Sequence, residues 1–220
     1  DFSFLGPFRQ YLKDSEVDVL QTFLPYANFW GGMVSATLAD LIFFTGERSG
    51  KMNYEEWGPR VYRFLSSVVS KHVASGAVGN SRESLDYLSQ YSVPRSKLHF
   101  VPNGLNIDLI RNLAREEPFH EGNPDSVKIG MFARLAKKKD HEMFIDACSQ
   151  LRNTNQPVEI FFAGREEHFS EEWIENRIEQ LPESVRGQYL GPLDNPYPVM
   201  KAMDVIALSS RFGEGMSNAI

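Results

Sequence analysis

The sequence predicts an α/β fold of two domains, each a parallel sheet with crossover helices. Three observations carry that prediction. Short apolar runs alternate with helical stripes along the chain, the alternation breaks at a polar stretch bearing Pro and Gly (Glu116–Pro124), and it restarts at Val127. Strands that alternate with helices form parallel sheets crossed by those helices. A polar Pro/Gly stretch between two such series reads as a domain link. The expected architecture is two Rossmann-like halves, residues 1–115 and 125–220, both incomplete.

In order, Val17–Phe23 reads as a strand, Asn28–Asp40 as a helix and Leu41–Thr45 as a second strand. Glu47–Pro59, with Arg48, Lys51 and Trp57, reads as a loop. Val61, Phe64, Leu65, Val68 and His72 recur at the spacing of one helix face. A short strand at Ser75–Val78 runs into Asn80-Ser81, an N-cap signal for a helix carrying Leu85 and Leu88. Lys97–Pro102 reads as a strand ended by the turn Pro102-Asn103-Gly104. In the second half, Val127–Phe132, Val158–Ala163, Gln188–Leu190 and Val205–Leu208 read as strands. Helices are expected on Met143, Phe144, Ala147 and Leu151, on Trp173, Ile174, Ile178 and Leu181 behind a Ser170 N-cap, and near Tyr197–Met203. The turn Gly213-Glu214-Gly215 reads as opening a further helix near Met216, whose free N–H groups suit a phosphate.

Bulk properties narrow the function. No run of about 18 apolar residues occurs, so no transmembrane helix is expected. A single cysteine, Cys148, excludes an internal disulfide and fits a reducing cytosol. The chain starts at Asp1, and its natural N-terminus is expected to lie upstream. A net charge of -6 argues against a nucleic-acid partner. Residues 1–112 hold 11 basic and 11 acidic residues and the remainder 12 and 18, so Lys137-Lys138-Lys139 stands out in an acidic half.

Arg134 and Lys139 lie in the turn after the strand 127–132. Ligands of open α/β sheets bind beyond the carboxyl ends of strands, so this turn borders the expected site. Arg offers a bidentate fork for phosphate and Lys a point charge; a plain solvated lysine loop is the competing reading. Gly213-Glu214-Gly215 offers amides and a carboxylate able to accept hydrogen bonds from sugar hydroxyls. The five histidines show no metal-ligand spacing and no Asp-x-Asp motif occurs, so no metal is expected. His72 reads as packed on its helix face, His141 as an exposed helix-start residue and Cys148 as a core thiol. Arg48 and Lys51 follow a strand, where an acceptor phosphate or bulk water meets them.

The order of these pieces resembles the retaining GT-B glycosyltransferases of family 4, along essentially the whole chain. Val101-Pro-Asn-Gly-Leu-Asn106 resembles the family's (I/V)PNG(V/I)D segment. Ile129-Gly-Met-Phe-Ala-Arg-Leu135 resembles IG-x-V-G-R-L; Lys139 falls on the Lys of the family's KG, with Asp140 in place of that Gly. Val158–Gly164, Tyr189-Leu-Gly191, Asp204–Ser210 and Glu214-Gly-Met-Ser-Asn218 resemble L-x-I-x-G-x-G, FLG, DV-x-V-x-PS and EG-x-P-N. Gln21–Asn28 resembles H-x-H-x-x-H-A-N without its histidines, with Tyr26 at the last His position.

The resemblance implies an acceptor-side first domain and a second domain binding a nucleotide-diphosphate-sugar. Arg134 and Lys139 would bind the diphosphate, and Glu214 would contact the donor sugar as the first carboxylate of Glu-x7-Glu. Gly215, Met216 and Ser217 would supply amides, with Asn218 beside them, while Gly164 and Arg165 would flank the nucleobase. Tyr26, Asn28 and Arg48 fall on the acceptor side. The implied activity is sugar transfer with retention to a glycan or lipid-linked acceptor, without a metal cofactor. The implied location is the cytoplasm, at or near the inner membrane face. A non-catalytic nucleotide-binding module and a GT-B nucleotide-sugar epimerase are the alternatives.

Overall fold

The computed structural model describes residues 2–48, 57–151 and 156–218. Two compact units emerge: Asp1–Asn103 with Phe212–Met216, and Gly104–Arg211 with Ser217–Ile220.

In the first unit, helix α1 (Leu5–Asp14) precedes the series β1 (Val19–Phe23), α2 (Pro25–Ser35), β2 (Ile42–Glu47), α3 (Trp57–His72), β3 (Gly76–Gly79), α4 (Arg82–Gln90) and β4 (Leu98–Phe100). The strands form one parallel sheet in sequence order, β1-β2-β3-β4. The apolar core is small, formed by Phe43, Val69 and Ala74 on one side and Ala77, Leu88 and Val93 on another. Buried hydroxyls and an amide supplement it. Thr45 Oγ1 and Ser70 Oγ lie 2.8 Å apart, joining β2 to α3. Asn28 accepts from Thr22 Oγ1 at 2.8 Å and donates to Gly46 O and Ser66 Oγ, both at 3.1 Å, tying α2 to β1, β2 and α3. Ser81 caps α4, its hydroxyl accepting from Ser84 N, as the sequence predicts.

The second unit contains α5 (Ile107–Glu116), β5 (Val127–Phe132), α6 (His141–Ser149), β6 (Val158–Ala163), α7 (Glu171–Ile178), β7 (Val185–Tyr189), α8 (Tyr197–Lys201) and β8 (Val205–Ile206). Its sheet is parallel with order β7-β6-β5-β8. Every residue of β6 is buried, as a central strand covered on both faces requires. Met131, Leu135, Phe144, Ile160, Phe162 and Ile174 head one continuous core. The chain therefore has an α/β fold with two parallel four-stranded sheets.

Five expectations change. The segment expected as a link is built into the second unit: Asn123 N and Ser126 Oγ donate to the buried Glu159 carboxylate at 2.8 and 2.5 Å, and Phe119 meets Phe161 edge-on at 5.4 Å. Residues 107–115, placed by sequence in the first half with no helix expected there, form α5 of the second unit, where Asn195 Nδ2 donates to Leu113 O at 2.9 Å. His72 is exposed rather than packed, because it ends α3. His141 is buried rather than exposed, because the left-handed Asp140 turns the chain so that the first residue of α6 points at Phe162. Among the described residues after Gly215 no helix forms, and residues 219–220 lie outside them, as does Lys51.

Candidate functional site

The strand order of the second unit reverses beside β5: β6 lies on one side and the last strand, β8, on the other. Such a switch point opens a crevice at the carboxyl ends of its two strands. The chain leaving β5 runs Ala133-Arg134-Leu135-Ala136 into the basic turn Lys137–Lys139, and the chain leaving β8 runs Ala207-Leu208-Ser209-Ser210-Arg211.

Two side chains from the β8 side hold the basic turn. Ser209 Oγ reaches Lys139 O at 2.8 Å and Asp140 O at 2.9 Å. Arg211 donates from its backbone N to Lys138 O and from Nε to the buried Asp140 carboxylate at 2.8 Å. Asp140 has φ 51°, ψ 55°. That left-handed conformation favours Gly, and Asp is among the few other residues that accept it. This explains physically how Asp stands where the resembling family has Gly: its carboxylate also caps α6 through Met143 N and anchors Arg211. Lys137, Asp140, His141, Glu142, Phe169 and Arg211 line a pocket of ≈ 230 Å³ here.

Arg134 forms an ion pair with Glu167, whose other oxygen lies 3.8 Å from His168 Nδ1. Gly164 ends β6 with φ +151°, and a Cβ there would meet Ala133 O at 2.1 Å, so only glycine lets these two strand ends run side by side. Tyr189 donates its hydroxyl to Gly164 O at 2.6 Å. Burial raises the Tyr189 phenol above its ordinary value, with Glu171 and Glu166 adding to the shift. Arg165 is exposed beyond Gly164. Beneath the turn, burial lowers the His141 imidazole to about 4, so the ring is neutral near pH 7. The Ala133 backbone opposes that shift without cancelling it. A wider cleft of ≈ 580 Å³ runs between α6 and α7, reaching the carboxyl end of α6 at Ser149 and passing that of α7 at Gln180, away from the strand ends that carry Arg134.

Glu214, Gly215 and Met216 belong to the first unit, whereas Ser217 and Asn218 belong to the second with Arg134, Lys139, Gly164 and Arg165. In the first unit Arg48 donates to Asn103 Oδ1 at 3.1 Å and its guanidinium stands 5.7 Å from the Phe23 ring. Tyr26 is 55% exposed and stacks obliquely on Tyr62. Asn28 is only 1% exposed, and its amide bonds Thr22, Gly46 and Ser66, so it anchors strand ends and has no face for an acceptor. Sequence reasoning missed Glu167, Ser209, Arg211 and Asp140 as partners of the basic turn; the left-handed slot at Asp140 was the one local signal. Among the described residues no group of three or more His, Cys, Asp or Glu is arranged to hold a metal.

Residues 126–220 match the family model of the glycosyl transferases group 1. No curated protein matches the chain. Among solved structures, Anabaena HepE in complex with UDP superposes with a TM-score of 0.76 at 18% identity, covering 98% of this chain and 59% of HepE. Sucrose-phosphate synthase from Thermosynechococcus elongatus gives 0.72 at 16% identity, covering 98% and 55%. A point mutant of S. aureus TarM, in complex with UDP, alpha-GlcNAc-glycerol and Fondaparinux, gives 0.67 at 14% identity, covering 98% and 42%. The two parallel sheets thus match those of GT-B glycosyltransferases, and the chain spans little more than half the length of HepE.

Proposed function

We propose that the protein is a retaining glycosyltransferase of family 4 that moves a sugar from a nucleotide-diphosphate-sugar to a glycan or lipid-linked acceptor. The observation that carries the reading is the family match over residues 126–220, which include the switch point bearing Arg134 and Lys139. Negative charge grows on the diphosphate as the glycosidic bond to it breaks. Preorganised cations that meet this charge stabilise the transition state more than the bound substrate. Lys139, its backbone held by Ser209, and Arg134 take that role. A diphosphate brings more charge than one carboxylate, so it draws Arg134 from Glu167.

Glu214 contacts the donor sugar, the amides of Gly215, Met216 and Ser217 and the Asn218 side chain line the phosphates, and Gly164 and Arg165 flank the base. Tyr26 and Arg48 face the acceptor. Arg134 and Lys139 do the charge compensation, and the reaction proceeds without a divalent cation. The protein works in the cytoplasm, in peripheral contact with the inner membrane face where its acceptor is lipid-linked. No helix among the described residues is long and apolar enough to cross a membrane. HepE has been seen with UDP-glucose, which makes uridine nucleotide-sugars the first donors to test.

The test is product analysis by NMR with the intact protein, UDP- and GDP-sugars and a panel of glycan and lipid-linked acceptors. An α-linked product from an α-linked donor is expected. A β-linked product contradicts retention, and an epimerised free sugar with no acceptor product contradicts transfer.

A further inference from the structure

The ends of the first unit's strands converge on one side chain, Asn103. It follows β4 in the turn Pro102-Asn103-Gly104, after Val101 has continued the ladder by donating to Gly79 O at 3.0 Å. Its Oδ1 accepts from Arg48 Nη2 at 3.1 Å, from the chain leaving β2, and from Asn80 Nδ2 at 3.2 Å, from the chain leaving β3. Its Nδ2 donates to Met216 O at 3.0 Å, and its backbone N lies 3.3 Å from Met216 Sδ. These contacts span 113 positions of sequence and grip the residue two places after Glu214.

Gly215, between them, lies against the same strand ends. A Cβ at that position would come within 2.5 Å of Arg48 O and of Asn80 Oδ1. Asn80 is 6% exposed, and its Oδ1 has no hydrogen-bond partner among the described residues. The segment is thus clamped twice, by a backbone carbonyl hydrogen-bonded to Asn103 and by a glycine pressed against two strand ends. Only a carboxamide serves both sides of this clamp. A carboxylate would keep the bonds from Arg48 and Asn80 but would face the Met216 carbonyl with no proton to give.

We propose that Asn103 is a positioning residue that sets the conformation of the segment Phe212–Met216 and thereby the place of the Glu214 carboxylate. The second clause rests on the reading of Glu214 as the group that meets the donor sugar. Arg134 and Lys139 lie in the other unit and do not depend on the clamp, so Asn103 governs the Glu214 carboxylate and the neighbouring Gly215 and Met216 amides and leaves the two cations in place.

The test compares the intact wild-type protein with Asn103→Asp and Gly215→Ala by hydrogen exchange over residues 212–218, by UDP titration and by steady-state transfer. Loss of one hydrogen bond to the segment predicts exchange about tenfold faster there in Asn103→Asp. Gly215→Ala forces the segment off the strand ends without touching Asn103, and gives the same local loss should Asn103→Asp fail to fold. Transfer is expected to fall at least about tenfold in kcat, as an interaction made with the reacting sugar requires, and UDP binding to weaken without being lost, because the Gly215 and Met216 amides move with the segment while Arg134 and Lys139 keep their places.

Unchanged exchange over 212–218 in both variants overturns the clamp, whatever the activity. Faster exchange with undiminished kcat overturns the positioning role. Faster exchange in a protein whose wild type transfers no sugar leaves the clamp standing and overturns the role assigned to Glu214.

Discussion

The two units hold similar parallel sheets together by different means. In the second unit a central strand is buried along its whole length, and one apolar core joins β5, β6 and β7 to α6 and α7. In the first unit the edge strand β1 alternates exposed and half-buried residues, the apolar clusters are small, and polar side chains join the elements. Asn28, Thr45, Ser66 and Ser70 are all nearly inaccessible, and they link α2, β2 and α3 by hydrogen bonds. An apolar core tolerates small shifts, whereas a hydrogen-bond network fixes distances. The first unit is accordingly built to place strand ends, at Gly46, Asn80 and Asn103, and the second to carry a stable platform under a basic turn.

The largest effect that sharpens this contrast is a pH effect on the second unit. Burial lowers the His141 imidazole to about 4 from an ordinary 6.5. Between those values the unfolded chain takes up a proton that the folded chain refuses. Stability from this group is full above about pH 6.5, falls as pH drops, and by about pH 4 has lost up to about 3 kcal/mol. Urea denaturation of wild type and His141→Leu at pH 7 and pH 4.5 checks it: the wild type should lose stability on acidification and the variant should lose less. Equal acid sensitivity would break the account of the second core.

A smaller effect probes the first unit. Asn28→Ala strips partners from Thr22, Ser66 and both backbone groups of Gly46. Leaving such buried groups unsatisfied costs about 2 kcal/mol. The expected result is a lower denaturation midpoint. A change below about 0.5 kcal/mol would mean that water replaces the amide and that the network is not what fixes the strand ends.

The same contrast explains what was legible in the sequence. Val127–Phe132 and Val158–Ala163 read correctly to the residue, because each is a mainly apolar run interrupted only by one charged residue, Lys128 or Glu159, as a well-covered strand requires. Helices α1 and α5 escaped notice. Gly6-Pro7 looks like a breaker, yet Pro7 lies in the first turn of α1, where its missing N–H has no intrahelical partner to lose. Asn106 was read inside a turn motif, whereas it caps α5 by accepting from Leu109 N at 3.0 Å. Of the candidate site, the turn bearing Arg134 and Lys139 was legible from its basic run in an acidic half. Its partners were not: Glu167, Ser209 and Arg211 reach it from 33 to 73 positions away through one or two contacts each, which leave no periodic trace.

The central claim is that the basic turn after β5 holds the diphosphate of a nucleotide-sugar. Calorimetric titration of UDP and GDP into the intact protein, wild type against Lys139→Ala and Arg134→Ala, tests it most directly. Removing one charge-assisted contact should weaken binding of the preferred nucleotide by about tenfold or more in each variant, with the melting temperature unchanged. Wild-type affinity for that nucleotide in both variants would contradict the claim and place the diphosphate elsewhere.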